Sequence, residues 1–219
     1  MTHMRPITLL LAAATAFAAE AVQTPIDNDQ VKVLNVTVQP HEKTRQHQHK
    51  VNRVMIYLTA GRQDFEWADG KKTSISFKAG QALWSPAAGL HIAEIASPNP
   101  VNIIEVELKK PASGAPVPSS DLEPIKVAAK TYKVEMENPQ VRVLRVKIAP
   151  HQMIPMHEHM LNRVVVYLTD QHVRATSADG KAETMEHKPG DATWGGPTKH
   201  KEENLTDKPV ELVVVELKP

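Results

Sequence analysis

The sequence predicts an all-β protein built from two copies of one domain, and three observations predict it. Short apolar, β-branched runs recur between Gly, Pro and Asp-Gly turn signals. Scarcely any stretch carries an amphipathic helical period. The chain also repeats itself. Pro40-His41, His47-Gln48-His49, Asn52-Arg53-Val54 and Tyr57-Leu58-Thr59 return as Pro150-His151, His157-Glu158-His159, Asn162-Arg163-Val164 and Tyr167-Leu168-Thr169. The step from 47 to 157 is 110 residues, and self-similarity at a fixed step marks a tandem duplication. The 219 residues suffice for two domains of roughly 100 residues, each able to bury a core.

In order along the chain, Arg5 precedes an apolar run over residues 7–14. Ala16-Phe17-Ala18 and Ala19-Glu20-Ala21 then each offer an A-x-A cleavage pattern. The run is too short for a bilayer anchor, which takes about 20 residues. Residues 1–18 are therefore expected to be a removed export signal, leaving a periplasmic or secreted protein with no membrane association. Residues 31–38 and 141–148, dense in valine and closed by Pro40 and Pro150, read as twin strands. The His-x-His segments follow. Residues 54–58 and 164–168 are unbroken apolar runs, the pattern of strands buried on both faces. Asp69-Gly70 and Asp179-Gly180 signal hairpins. Gly80 and Gly190 each open a strand that carries a tryptophan, Trp84 or Trp194, expected to serve packing. The copies then slip by one residue, so that His91 matches His200. Each half closes on a strand, 101–108 and 210–217. In the first, Ile104, Val106 and Leu108 alternate with Glu105 and Glu107, the pattern of a half-buried strand. Domains are expected over residues 22–110 and 125–219, joined by a Pro/Ala/Ser linker over 111–124. Residues 125–134 read as one or two extra strands, pairing within or between the halves.

Composition narrows the function. Lys+Arg 26 against Asp+Glu 25 gives a net charge of +1 and no footprint for nucleic acid or an anionic membrane. With no cysteine, the protein has no disulfide, no lipid-anchoring thiol and no thiol chemistry of its own. Eight of the eleven histidines fall into matched pairs: His41/His151, His47/His157, His49/His159 and His91/His200. Two histidines two apart on a strand present both imidazoles on one face. A His-x-His with a later single histidine, arriving twice at the same place, points to a metal site in each half, at His47, His49, His91 and at His157, His159, His200. Imidazole sites of this kind take Fe, Mn, Cu, Ni or Zn. His3, His172 and His187 read as ordinary surface residues.

These residues resemble the cupin superfamily. Its first motif is Gly, five residues, His-x-His, then Glu; its second is Gly, five residues, Pro-x-Gly, two residues, His, three residues, Asn. Gly80, Pro86 and His91 keep the second motif's spacings, and His200 with Asn204 keeps His-x3-Asn. The resemblance spans both halves and implies a bicupin: two tandem double-stranded β-helix (jelly-roll) barrels, with one divalent transition metal in each. Three departures stand out. Arg53 or Val54, and Arg163 or Val164, occupy the place of the ligand glutamate; His41 and His151 replace the opening glycine; Ile95 replaces the first Asn.

Three neutral imidazoles leave a divalent ion its full charge, which favours an anionic or bidentate ligand in the open positions. Counting by twos from each His-x-His puts Val51, Arg53, Met55 and Tyr57, and Leu161, Arg163, Val165 and Tyr167, on the metal face, unless a bulge intervenes. Arg53 and Arg163 then either clamp a substrate carboxylate, point outward, or pair with Glu94 and Glu203. Asn204, His41 and His151 are expected at the barrel mouth or behind the ligands. The resemblance implies a dioxygenase-like oxidoreductase acting on a small carboxylate or oxygenated compound, the missing glutamate arguing against oxalate chemistry. The other reading is a non-catalytic module binding a metal or small anion as a sensor or store. Homo-oligomerisation is left open.

Overall fold

The structure, a computed structural model, describes residues 21–219; the export signal expected over residues 1–18, with His3, lies outside the described residues. The first half contains β1 (Ala21–Asp27), β2 (Val31–Val38), β3 (His47–His49), β4 (Arg53–Tyr57), β5 (Gly61–Trp67), β6 (Lys72–Phe77), β7 (Ala82–Ser85), β8 (Ala88–Ile95) and β9 (Val101–Leu108). A four-residue helix, α1 (Pro124–Val127), precedes the second half. That half runs through β10 (Tyr132–Glu137), β11 (Val141–Ile148), β12 (Met153–His159), β13 (Arg163–Tyr167), β14 (Gln171–Ser177), β15 (Ala182–His187), β16 (Ala192–Gly195), β17 (Thr198–Asn204) and β18 (Val210–Leu217).

Each half pairs a five-stranded sheet with a four-stranded one, in the orders β1-β2-β9-β4-β7 with β3-β8-β5-β6, and β10-β11-β18-β13-β16 with β12-β17-β14-β15. Strand alternation divides the apolar residues between two destinations. Met55 and Tyr57 face the first half's own interior, with Val36, Val38 and Ile103. Val54 and Ile56, on the opposite face of the same strand, join Ile104, Val106, Val164, Val166, Val213 and Val215 in a core shared by the two halves. The unbroken apolar runs are thus buried on both faces for a specific reason: one face lines a barrel and the other is covered by the sister half. Each such Val or Ile is worth about 1.5–3 kcal/mol of burial.

The shared face is isologous, each half offering the other the same patch. A Cβ added at Gly80, which sits at φ 79°, would meet Leu168 Cδ1 at 3.4 Å, and one added at Gly190, at φ 93°, would meet Leu58 Cδ1 at 3.1 Å. Asn52 Nδ2 donates to Gln140 Oε1 at 2.5 Å, and its counterpart Asn162 donates to Gln30 Oε1 at 3.3 Å.

One expectation is corrected. Residues 125–134 do not begin as strand: Pro124 supplies the fixed φ of a helix's first position, and α1 forms before β10, which pairs with β11 of its own half. β9 is half-buried as its alternation implies, and its less buried face is a barrel wall. Ile104, Val106 and Leu108 enter the shared core, while Glu105 and Glu107 lie on the barrel-facing side of the strand, in phase with Val101 and Ile103. A first strand, β1, also precedes residues 31–38 and pairs with β2 through a register shift between Gln23 and Ile26.

Candidate metal centre

Register brings the histidines together. In the first half His47 on β3 is opposite His91 on β8; in the second His157 on β12 is opposite His200 on β17. His47, His49 and His91 offer ring nitrogens that all lie within 4.8 Å of one another, and so do His157, His159 and His200. The second group is the more enclosed. His157 and His159, on the seven-residue β12, are buried, whereas His47 and His49, on the three-residue β3, are half-buried.

The donor set fits a cation. His47, His91 and His157 each bring Nδ1 to the carbonyl two residues earlier, Arg45 O at 2.8 Å, Gly89 O at 2.8 Å and Pro155 O at 2.9 Å. A carbonyl only accepts, so Nδ1 carries the proton and Nε2 presents its lone pair to the centre of the triad. His159 Nδ1 meets Glu216 Oε1 at 3.4 Å, a carboxylate behind a ligand imidazole. His47 Nε2 and His49 Nε2 face one another at 3.2 Å, and His200 Nε2 is buried with no hydrogen-bond partner. Burial holds His200 down to about 4 and His49 down to about 3, the latter with help from the Arg53, His47 and His91 charges. Burial also lowers His91 and His157. Converging imidazoles, and in the second triad an orphaned buried nitrogen, are an arrangement that suits a divalent ion.

The surroundings differ between halves. The first triad opens on a cavity of about 720 Å³ lined by Leu34, Met55, Phe65, Trp67, Ile75 and Leu83, with Trp67 packed on His91 at 4.9 Å between ring centroids. The second opens on about 430 Å³, where Tyr132, Arg163, Glu183, His187 and Glu202 face inward. Trp84 and Trp194 line the first and second cavities; Trp84 also packs against the shared core, while Trp194 is 37% exposed.

Arg53 does lie on the wall of the first cavity, in phase with the histidines. The strand breaks over residues 50–52 and 160–162 and resumes in phase, turning Val51 and Leu161 away. Arg53 pairs with neither Glu94 nor a solvent group. Its Nη1 donates to Glu105 Oε2 at 2.8 Å and its Nη2 to Ser85 Oγ at 2.9 Å. Glu105 thus holds the position on Arg53 that a substrate carboxylate was expected to take. Arg163 lines the second cavity and donates to the Gly196 carbonyl. Glu94 instead lies beside Lys43, and Glu203 bonds Arg174.

Asn204 does not stand behind the ligands. It is buried, and its amide is used on the Ala149 and Lys208 carbonyls at 3.0 and 2.8 Å and on Thr206, tying two turns together. His41 and His151 are exposed turn residues, at φ 58° and 54°, beside Glu94 and Asp207. They stand where the resemblance expects glycine, and the left-handed backbone is the reason glycine suits that place. His187 is not an ordinary surface residue: it stacks on Tyr167 at 3.9 Å, as Phe77 stacks on Tyr57 at 3.7 Å. His172 is exposed, 3.8 Å from Glu186. Sequence reasoning missed Phe65, Trp67, Glu105, Tyr132, Glu202 and Glu216. Only Glu216 carried a signal, as the repeat of Glu107.

No protein-family model matches the chain, and no curated protein matches it. Solved structures do. Oxalate decarboxylase from Bacillus subtilis superposes with a TM-score of 0.60 at 15% identity, over 87% of this chain and 68% of its own. AerE from Microcystis aeruginosa gives 0.62 at 12%, over 91% and 98%. A cupin 2 conserved barrel domain protein from Leptotrichia buccalis gives 0.56 at 12%, over 94% and 92%. The fold is therefore the all-β cupin fold.

Proposed function

We propose that this cupin is an exported metal-dependent oxidoreductase of dioxygenase type. Its substrate is a small, largely apolar oxygenated compound held in the first cavity. The observation that supports the reading most is the convergence of three imidazoles, His47, His49 and His91, on one end of that apolar space. A divalent ion held there supplies Lewis acidity and, if redox-active, a place where dioxygen and substrate meet.

The chain's own residues do the selecting. A volume of about 720 Å³ falls in the range of small-molecule sites and exceeds what a two-carbon acid fills. Phe65 and Trp67 offer faces to a planar apolar body. Glu105 already occupies Arg53, so that guanidinium does not serve as a carboxylate clamp, and the apolar lining favours an apolar body carrying a hydroxyl or carbonyl oxygen. Trp67 and Phe65 also pack around His91, fixing its ring and excluding water from that side.

The test is dioxygen uptake by protein loaded with iron(II), manganese(II) or copper(II), offered a panel of hydroxylated aromatic compounds and, separately, two- to four-carbon carboxylates. Uptake with members of the aromatic panel, lost in His49→Ala, is expected. Turnover confined to the carboxylates, or absent with every metal, contradicts the reading.

A further inference from the structure

The two triads are built on the same register but finished differently at two positions. Tyr132 on β10 is opposite Val146, and in the first half Val22 on β1 is opposite Val36, its counterpart. Glu202 lies two residues beyond His200 on β17; the matching residue beyond His91 on β8 is Ala93. Val22 and Ala93 line the first cavity and leave it open and apolar. Tyr132 and Glu202 instead close on the second triad. The Tyr132 hydroxyl lies 3.3 Å from His157 Nε2 and 3.3 Å from Glu202 Oε2, and Glu202 Oε1 lies 3.7 Å from His200 Nε2. Tyr132 is buried, at 4% exposure, in the second half's own core, against which Ile125 and Ala128 pack.

We propose that the second centre is a closed site: Tyr132 and Glu202 fill the face of its triad that an exogenous ligand would use, so it keeps its cation for structure and only the first centre exchanges ligands. This inference rests on both triads holding metal. Two independent features support it besides the pair itself. The second triad's own strand is longer and the histidines on it are more buried, and its cavity is the smaller, about 430 against about 720 Å³. Closed and open coordination are what separate structural from reactive metal sites.

The test uses full-length protein reconstituted with cobalt(II), whose visible bands report coordination, titrated with azide. In the native protein, half of the cobalt absorption is expected to shift. In His47→Ala/His49→Ala protein, which retains only the second centre, the cobalt bands are expected to be unmoved. Adding Tyr132→Val and Glu202→Ala to that variant is expected to restore the response. If the quadruple variant does not fold by circular dichroism, the half-response of the native protein still decides. A shift of all the cobalt in native protein, or of the bands in His47→Ala/His49→Ala protein, overturns the inference. Absence of cobalt from that variant overturns instead the metal reading of the second half.

Discussion

Single residues set the charge state of the two centres. Burial keeps His49 and His200 neutral far below their ordinary value of 6.5, whereas in the unfolded chain they protonate near 6.5. The unfolded state then binds more protons, so stability rises with pH across this window. Metal-free protein is expected to be most stable above about pH 6.5 and to lose stability progressively as pH falls toward 4, read as the urea midpoint against pH. A midpoint flat from 7 to 4 would contradict the assigned burial. Arg53 and Glu105 form a buried pair, so Glu105→Ala strands a charge and should cost about 3–5 kcal/mol, while Glu105→Gln should cost less. Asn204→Ala should cost about 1–3 kcal/mol by releasing two turns, with metal content unchanged. Spacing and repetition picked out the six histidines that register brings together, because side chains that meet across facing strands must keep their intervals. It could not identify Glu105 or Tyr132. Their importance depends on which face of a strand meets which sheet, and neither has a neighbour in sequence that reveals it.

Strands, as elements, carry two faces with two duties. In β9 Ile104 belongs to the core shared by the halves, and Glu105, the next residue, belongs to the wall of the first cavity. Ile104→Ala should therefore destabilise by about 2–5 kcal/mol, measured by denaturant unfolding, without changing the metal content. The apolar side of β9 was legible as a period of two. Which side looked outward was not, because periodicity cannot distinguish solvent from an interior lined with charged groups. The helix α1 was illegible for a related reason: four residues are too few to show a helical period, and only Pro124 marks its start. The break after each His-x-His was invisible too, yet its even effect on phase is why Arg53 still lands in the cavity.

At the scale of the whole molecule, the duplication places two barrels back to back over one valine-rich core. Either half produced alone would expose that face, and it should self-associate or aggregate, as sedimentation would show; a stable monomeric half would contradict the shared core. Duplication also frees one copy to diverge. The histidines are kept in both, while Val22 and Ala93 of one copy stand against Tyr132 and Glu202 of the other. The export signal proposed for residues 1–18 predicts that protein recovered from its native host begins near Ala19, which N-terminal sequencing reads directly. Among the described residues, no helix is long and apolar enough to cross a membrane. The central claim is that each triad holds a metal ion, and its most direct test is elemental analysis by mass spectrometry of untagged protein, native and with His91→Ala or His200→Ala. About two equivalents of transition metal per chain, falling to about one in either variant, are expected. No metal after reconstitution, or full occupancy in both variants, would contradict it.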